Sequence, residues 1–231
     1  MAWSRCLDVE NVNTKDFLVA QPLPVTPPAD DSDEAIRWAL QRLSQDVTHH
    51  LIAAQTGRLL MFHAGAVSHP QTGASVVFVA PSGTGKTTLS GLLGTTNGYL
   101  TDETVGVDPT TGRIHPYPKP LSIASGQPWR KIETSPHTLG LLPAHPQPTV
   151  ARVVLLRRQA DIEDQSPTVQ HLGTLDAVAA LIPESSALNR LPRPLHTVAE
   201  LLDRTGPLAR LTYREAGDLV PVLSDVLNEA A

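Results

Sequence analysis

The sequence predicts an α/β domain with an N-terminal extension, and three observations carry that expectation. Short β-like apolar runs alternate with segments of helical period along the chain. One of those runs, at residues 76–80, feeds a glycine-rich turn that opens a helix. Hydrophobic residues make up 41% and charged residues 18%, with both signs interspersed, so the chain is neither a disordered polyelectrolyte nor a fibrous repeat. At about 150 residues for a typical domain, 231 residues suit one large domain plus an appendage.

Residues 1–30 end in Gln21-Pro22-Leu23-Pro24-Val25-Thr26-Pro27-Pro28, whose prolines favour extended or turn backbone, and they are expected to form an arm outside a single domain over residues 31–231. Asp31 with Glu34 reads as a capping box, and Ile36, Leu40, Leu43, Val47 and Leu51 then form the apolar stripe of a helix over residues 32–55. Two β-like runs follow at 59–67 and 75–80, joined by the turn His69-Pro70-Gln71-Thr72-Gly73. A helix is expected over 86–93, then short strands near 99–101, 104–107 and 113–115, the last two linked by Asp108-Pro109-Thr110-Thr111-Gly112. The proline-dense stretch 116–150 reads as ordered loop with short strands over the open side of a site. Residues 152–157 form a core-strand candidate and 159–170 a loop. Leu175, Val178 and Leu181, then His196, Ala199 and Leu202, mark two short helices. A strand is expected at 208–213, and a terminal helix over 215–227, interrupted by Pro221.

The balance of charge excludes some partners. Eighteen Lys and Arg against 23 Asp and Glu leave a net charge of -5, which argues against a dedicated nucleic-acid surface. Aromatics, at 4%, are too few for base-stacking platforms. The single Cys6 allows no internal disulfide and points to a reducing compartment, and no Cys/His cluster has zinc spacing. The longest apolar runs fall far short of the roughly 20 residues of a membrane span, so no membrane partner is expected and the cytoplasm is the expected location.

The sharpest motif is Ala80-Pro81-Ser82-Gly83-Thr84-Gly85-Lys86-Thr87-Thr88. A strand entering a glycine-rich turn at a helix start lines up backbone N–H groups and the positive helix end around an anion. Ser82, Gly83, Thr84, Gly85, Lys86, Thr87 and Thr88 are therefore the expected nucleotide-phosphate cradle, with Lys86 reaching the β and γ phosphates and Thr87 a ligand of Mg²⁺. Ala80 stands where the strict motif has glycine. Asp102 and Glu103 follow a short strand rather than the long apolar run that precedes the metal carboxylate in most P-loop NTPases. Neighbouring residues on extended backbone point to opposite sides, so these two carboxylates share one site only if the chain turns there.

These segments resemble a known family. Phe62-His63-Ala64-Gly65-Ala66-Val67, the P-loop, Tyr99-Leu100-Thr101-Asp102-Glu103 and Pro116-Tyr117-Pro118-Lys119-Pro120-Leu121 are similar to the HPr kinase/phosphorylase-type kinases. They are most similar to the short HPr-kinase-related proteins encoded with peptide-tailoring genes, including lasso-peptide kinases, over residues 58–125. HPr kinases carry Asp-Asp where this chain has Asp102-Glu103, and a histidine where it has His63. The resemblance implies a PEP-carboxykinase-like P-loop domain with a mixed β-sheet and flanking helices, ATP and Mg²⁺ as cofactors, and phosphoryl transfer to a hydroxyl; it is also compatible with a homo-oligomer. A counterpart of the HPr-docking helix is not recognisable near the C-terminus.

The expected catalytic residues are then Lys86, Asp102, Glu103 and His63. Thr87 and Asp102 are assigned to the metal and either carboxylate to the acceptor proton, while His63 orients one of them or touches the phosphoryl group. Cations for the phosphoryl oxygens are sought at Lys119 and Arg157, with Arg130, Lys131 and Arg158 as further candidates. Trp129, as an apolar anchor, and Arg130 or Lys131, pairing with a carboxylate, are expected to grip the acceptor, a serine or threonine of a small protein or precursor peptide. A kinase of small-molecule hydroxyls and a non-catalytic nucleotide-binding scaffold are the competing readings.

Overall fold

The computed structural model describes residues 33–124, 131–161 and 166–230, and the chain divides into two units, Met1–Thr56 and Gly57–Ala231. In the first unit the described part is one helix, α1 (Asp33–Gln55), close to its expected span. Asp31, expected to cap it, lies outside the described residues.

The second unit runs β1 (Leu60–Ser68), β2 (Ala74–Val79), α2 (Lys86–Leu93), β3 (Gly98–Thr101), β4 (Thr104–Val107), β5 (Ile114–His115), β6 (Leu121–Ala124) and β7 (Lys131–Thr134). It continues with β8 (Thr149–Arg158), β9 (Thr168–His171), α3 (Thr174–Leu181), β10 (Ser185–Ser186), α4 (Pro194–Thr205), β11 (Ala209–Tyr213) and α5 (Leu219–Glu229). The class is mixed α/β. The main sheet has the order β5-β4-β1-β2-β8-β11-β9, with β3 and β10 also paired to β1, and β6 and β7 form a separate hairpin. β2, β8 and β11 are mutually parallel, whereas β1 is antiparallel to β2 through the turn expected at residues 69–73.

Both faces of the central strands are buried, and the side-chain period of two sorts them. Val77, Val79, Val153 and Leu155 face a core closed by Leu181 of α3 and Val198, Leu201 and Leu202 of α4. Val76, Phe78, Val154 and Leu156 face Leu89 and Leu93 of α2 and Leu219, Leu223 and Leu227 of α5. At about 1.5–3 kcal/mol for each fully buried large aliphatic side chain, these two layers are the main force holding the sheet between its helices.

Two local expectations need correction. Residues 168–170 of the expected loop belong to the edge strand β9, all exposed and antiparallel to β11; their polar sequence hides a strand held mainly by backbone pairing. Pro221 does not interrupt the terminal helix. It lies in the first turn of α5, where a backbone N–H has no intrahelical partner to lose.

Candidate functional site

The site forms where β1 changes neighbours. Leu60 to His63 pair with β4 and Ala66 to Ser68 with β3, so the two-residue turn Asp102-Glu103 between those strands lies against the middle of β1, with the Ala64 N–H donating to Glu103 O at 3.1 Å. On the other edge, β2 pairs as far as Ala64 and Val79, the chain leaves as the glycine loop, and β10 takes over at Phe62 and Ser185. His63 therefore stands between the departing loop and the acidic turn.

The loop needs its glycines. Gly83 and Gly85 have φ of 83° and 99°, a region that side chains strain to reach, and a Cβ on Gly83 would meet nothing, so conformation rather than space sets the requirement. Thr84 Oγ1 donates to Pro81 O at 2.8 Å, and the Tyr213 hydroxyl donates to Thr84 O, fastening the loop to β11. Thr87 is half-buried and Thr88 and Ser82 are exposed. Lys86 is buried, and its Nζ donates to Ala80 O at 2.6 Å and Pro81 O at 3.0 Å. Burial lowers its pKa to about 8, against the charges of Glu184, Asp102 and Glu103, which raise it.

The backbone does turn at the acidic pair. Lys119 Nζ lies 3.2 Å from Asp102 Oδ1 and 3.3 Å from Glu103 Oε2, and donates to Pro120 O at 2.9 Å, so its three protons meet three acceptors. Burial alone would lower the Lys119 pKa; the carboxylates of Asp102 and Glu103 outweigh it and hold the ammonium above its ordinary value. The buried Tyr99 hydroxyl lies 3.1 Å from Asp102 Oδ1 and 3.2 Å from Lys119 O, and burial first, then Asp102, push its pKa up. The Asp102 side chain is 2% exposed and that of Glu103 is 35%, so an approaching solute reaches Glu103 first.

His63 Nδ1 lies 3.5 Å from Glu184 Oε2. Burial and then the charge of Lys86 lower the His63 pKa, with Glu184 and Glu103 acting in the opposite sense. Glu184 is the residue that sequence reasoning missed. It ends a short 3₁₀ turn, and the two-residue pairing of β10 with β1 brings it beside His63. No motif marks it.

The remaining candidates separate. Arg157 is exposed and lines a cavity with Pro81 and Glu184. Arg158 Nη2 donates to both carboxylate oxygens of Glu215 at 2.9 Å, and Arg158 is committed there. Lys131 is exposed on β7. Trp129 and Arg130 lie outside the described residues.

A nucleotide's phosphates fit the loop, which offers positive-φ glycines, a helix start and a buried ammonium now resting on neutral carbonyls. A hard divalent cation fits the acidic turn, whose carboxylates already converge on a cation, the Lys119 ammonium. Among the described residues no group of three or more His, Cys, Asp or Glu makes a metal cage. No helix among the described residues is long and apolar enough to cross a membrane.

No family model matches the chain, and no curated protein matches it. Among solved structures the chain is similar to the Hpr(Ser) kinase/phosphatase from Coxiella burnetii, at 13% identity and a TM-score of 0.34, over 73% of this chain and 93% of that one; no residue's role follows from that likeness.

Proposed function

We propose that the chain is an ATP-dependent kinase that transfers the γ-phosphoryl group to a hydroxyl, with a serine or threonine of a small protein or precursor peptide as acceptor. The observation that carries the reading is the placement of Lys86, buried at the base of a glycine loop and within the electrostatic reach of Asp102, Glu103 and Glu184. A phosphate cradle facing a carboxylate turn is the equipment phosphoryl transfer needs, namely positioning and charge neutralisation.

In this reading the loop N–H groups and Lys86 hold the β and γ phosphates, and Thr87 and Asp102 hold Mg²⁺. The metal, when bound, neutralises charge on the phosphoryl oxygens. The acceptor oxygen bonds to the γ-phosphorus, the bond to the bridging oxygen breaks, and ADP leaves with that oxygen. Glu103, the more exposed carboxylate, takes the hydroxyl proton. The sequence resemblance to kinases of peptide-tailoring clusters supports a peptide acceptor, and the lone Cys6 supports action in the cytoplasm.

The test is incubation of the full chain with Mg²⁺ and γ-labelled ATP against serine and threonine peptides and, separately, small alcohols. Label on peptide hydroxyls supports the reading. Label confined to small alcohols contradicts the peptide acceptor, and ATP binding without transfer to any acceptor contradicts the kinase.

A further inference from the structure

β2 runs parallel to β8 and ends at Val79, opposite Leu155, and the carboxyl ends of parallel strands are where open α/β sheets carry ligands. A cavity of about 350 Å³ opens there, and its lining includes Pro81, Arg157, Ala180, Pro183, Glu184 and Arg210. Pro81 is shared: its carbonyl accepts from Lys86, so the cavity abuts the phosphate cradle. Glu184 is shared too, because its carboxylate stands beside His63.

The two arginines come from neighbouring strands and one face. Arg210 is in register with Leu155, and Arg157 stands two residues beyond Leu155. Among the described residues neither has a carboxylate within ion-pair distance; Arg210 Nη1 donates to Gln170 Oε1 at 3.3 Å, while Arg158, next along the strand and on the opposite face, is paired with Glu215. The lining's own carboxylate, Glu184, is 3.5 Å from His63. Two guanidinium groups at one cavity wall, in no ion pair among the described residues, match a carboxylate, which the planar fork of arginine binds through paired N–H···O bonds.

We propose that this cavity anchors the phosphoryl acceptor by a carboxylate, so that the enzyme selects acceptors with an acidic group close to the reacting hydroxyl. The inference rests on the kinase reading for what the ligand is, but its binding chemistry is testable apart from catalysis.

The test uses fluorescein-labelled peptides of equal length, Glu-Ser-Glu and Gln-Ser-Gln centred, each with a free or an amidated C-terminus, titrated by anisotropy against the full chain. Wild type binds the peptide bearing carboxylates about tenfold or more tighter than the neutral amidated one, and the free-against-amidated arms tell a side-chain carboxylate from a terminal one. Arg157→Gln combined with Arg210→Gln removes that preference while leaving the melting temperature as in wild type. Equal binding of acidic and neutral peptides, or a preference that survives in the double variant, overturns the proposal. Should the double variant unfold, the single variants, each expected to lose part of the preference, decide on the same criterion. A fluorescent ATP analogue reports on the kinase reading by itself: no binding of it by wild type contradicts that reading whatever the peptides do.

Discussion

The Lys119 ammonium lies 3.2 Å from Asp102 Oδ1, and both side chains are buried. Removing one partner of such a pair strands the other charge, so Lys119→Met is expected to cost about 3–5 kcal/mol of stability. Because the stranded carboxylates of Asp102 and Glu103 still converge, millimolar Mg²⁺ is expected to restore part of the lost melting temperature in the variant and little in wild type. Thermal unfolding with and without Mg²⁺ checks this, and a loss of stability indifferent to Mg²⁺ speaks against a cation site at the turn.

Lys86 gives a pH dependence of defined sign. Burial lowers its pKa from 10.5 to about 8, so between those values the unfolded chain holds the extra proton and folding stability from this group rises with pH. Phosphates favour the protonated form, so they raise this pKa and bind less well as pH climbs through about 8. The rise in melting temperature produced by ATP is therefore expected to shrink between about pH 7.5 and 9.5 in wild type, and Lys86→Met removes that trend.

Much of the site was legible in local sequence and the rest was not, for a physical reason. The loop and its helix are written in consecutive residues, because glycines at positive φ and a lysine at the helix start have fixed spacing. The adjacency of Asp102 and Glu103 was visible, but whether they share a site depended on a turn that only the pairing of β3 and β4 with one strand imposes. Glu184 was invisible, since it reaches His63 through a two-residue strand distant in sequence. β9 was missed for a related reason: an edge strand needs no apolar face.

The two carboxylates are expected to fail differently. Asp102→Asn should raise the Mg²⁺ concentration needed for half-maximal turnover. Glu103→Gln should leave Mg·ATP binding near wild type and slow the chemical step by roughly 10²- to 10⁴-fold, the range for a lost general base. Nucleotide titration and single-turnover kinetics separate them, and equal effects on binding contradict the division.

Glu184 raises the His63 pKa and Lys86 lowers it. Glu184→Gln is therefore expected to move the His63 titration midpoint down, and Lys86→Met to move it up. NMR titration of the His63 Cε1–H resonance reads both shifts, and a midpoint unmoved by either variant contradicts the geometry around His63.

The central claim is that Lys86 and its loop hold ATP for transfer. The most direct measurement is paired titration of a fluorescent ATP analogue and single-turnover transfer of labelled γ-phosphate, in wild type and Lys86→Ala. Wild type is expected to bind and transfer, and Lys86→Ala, with its fold confirmed by circular dichroism, to bind at least about tenfold more weakly and to transfer no detectable label. Unchanged nucleotide affinity and turnover in Lys86→Ala would contradict the account.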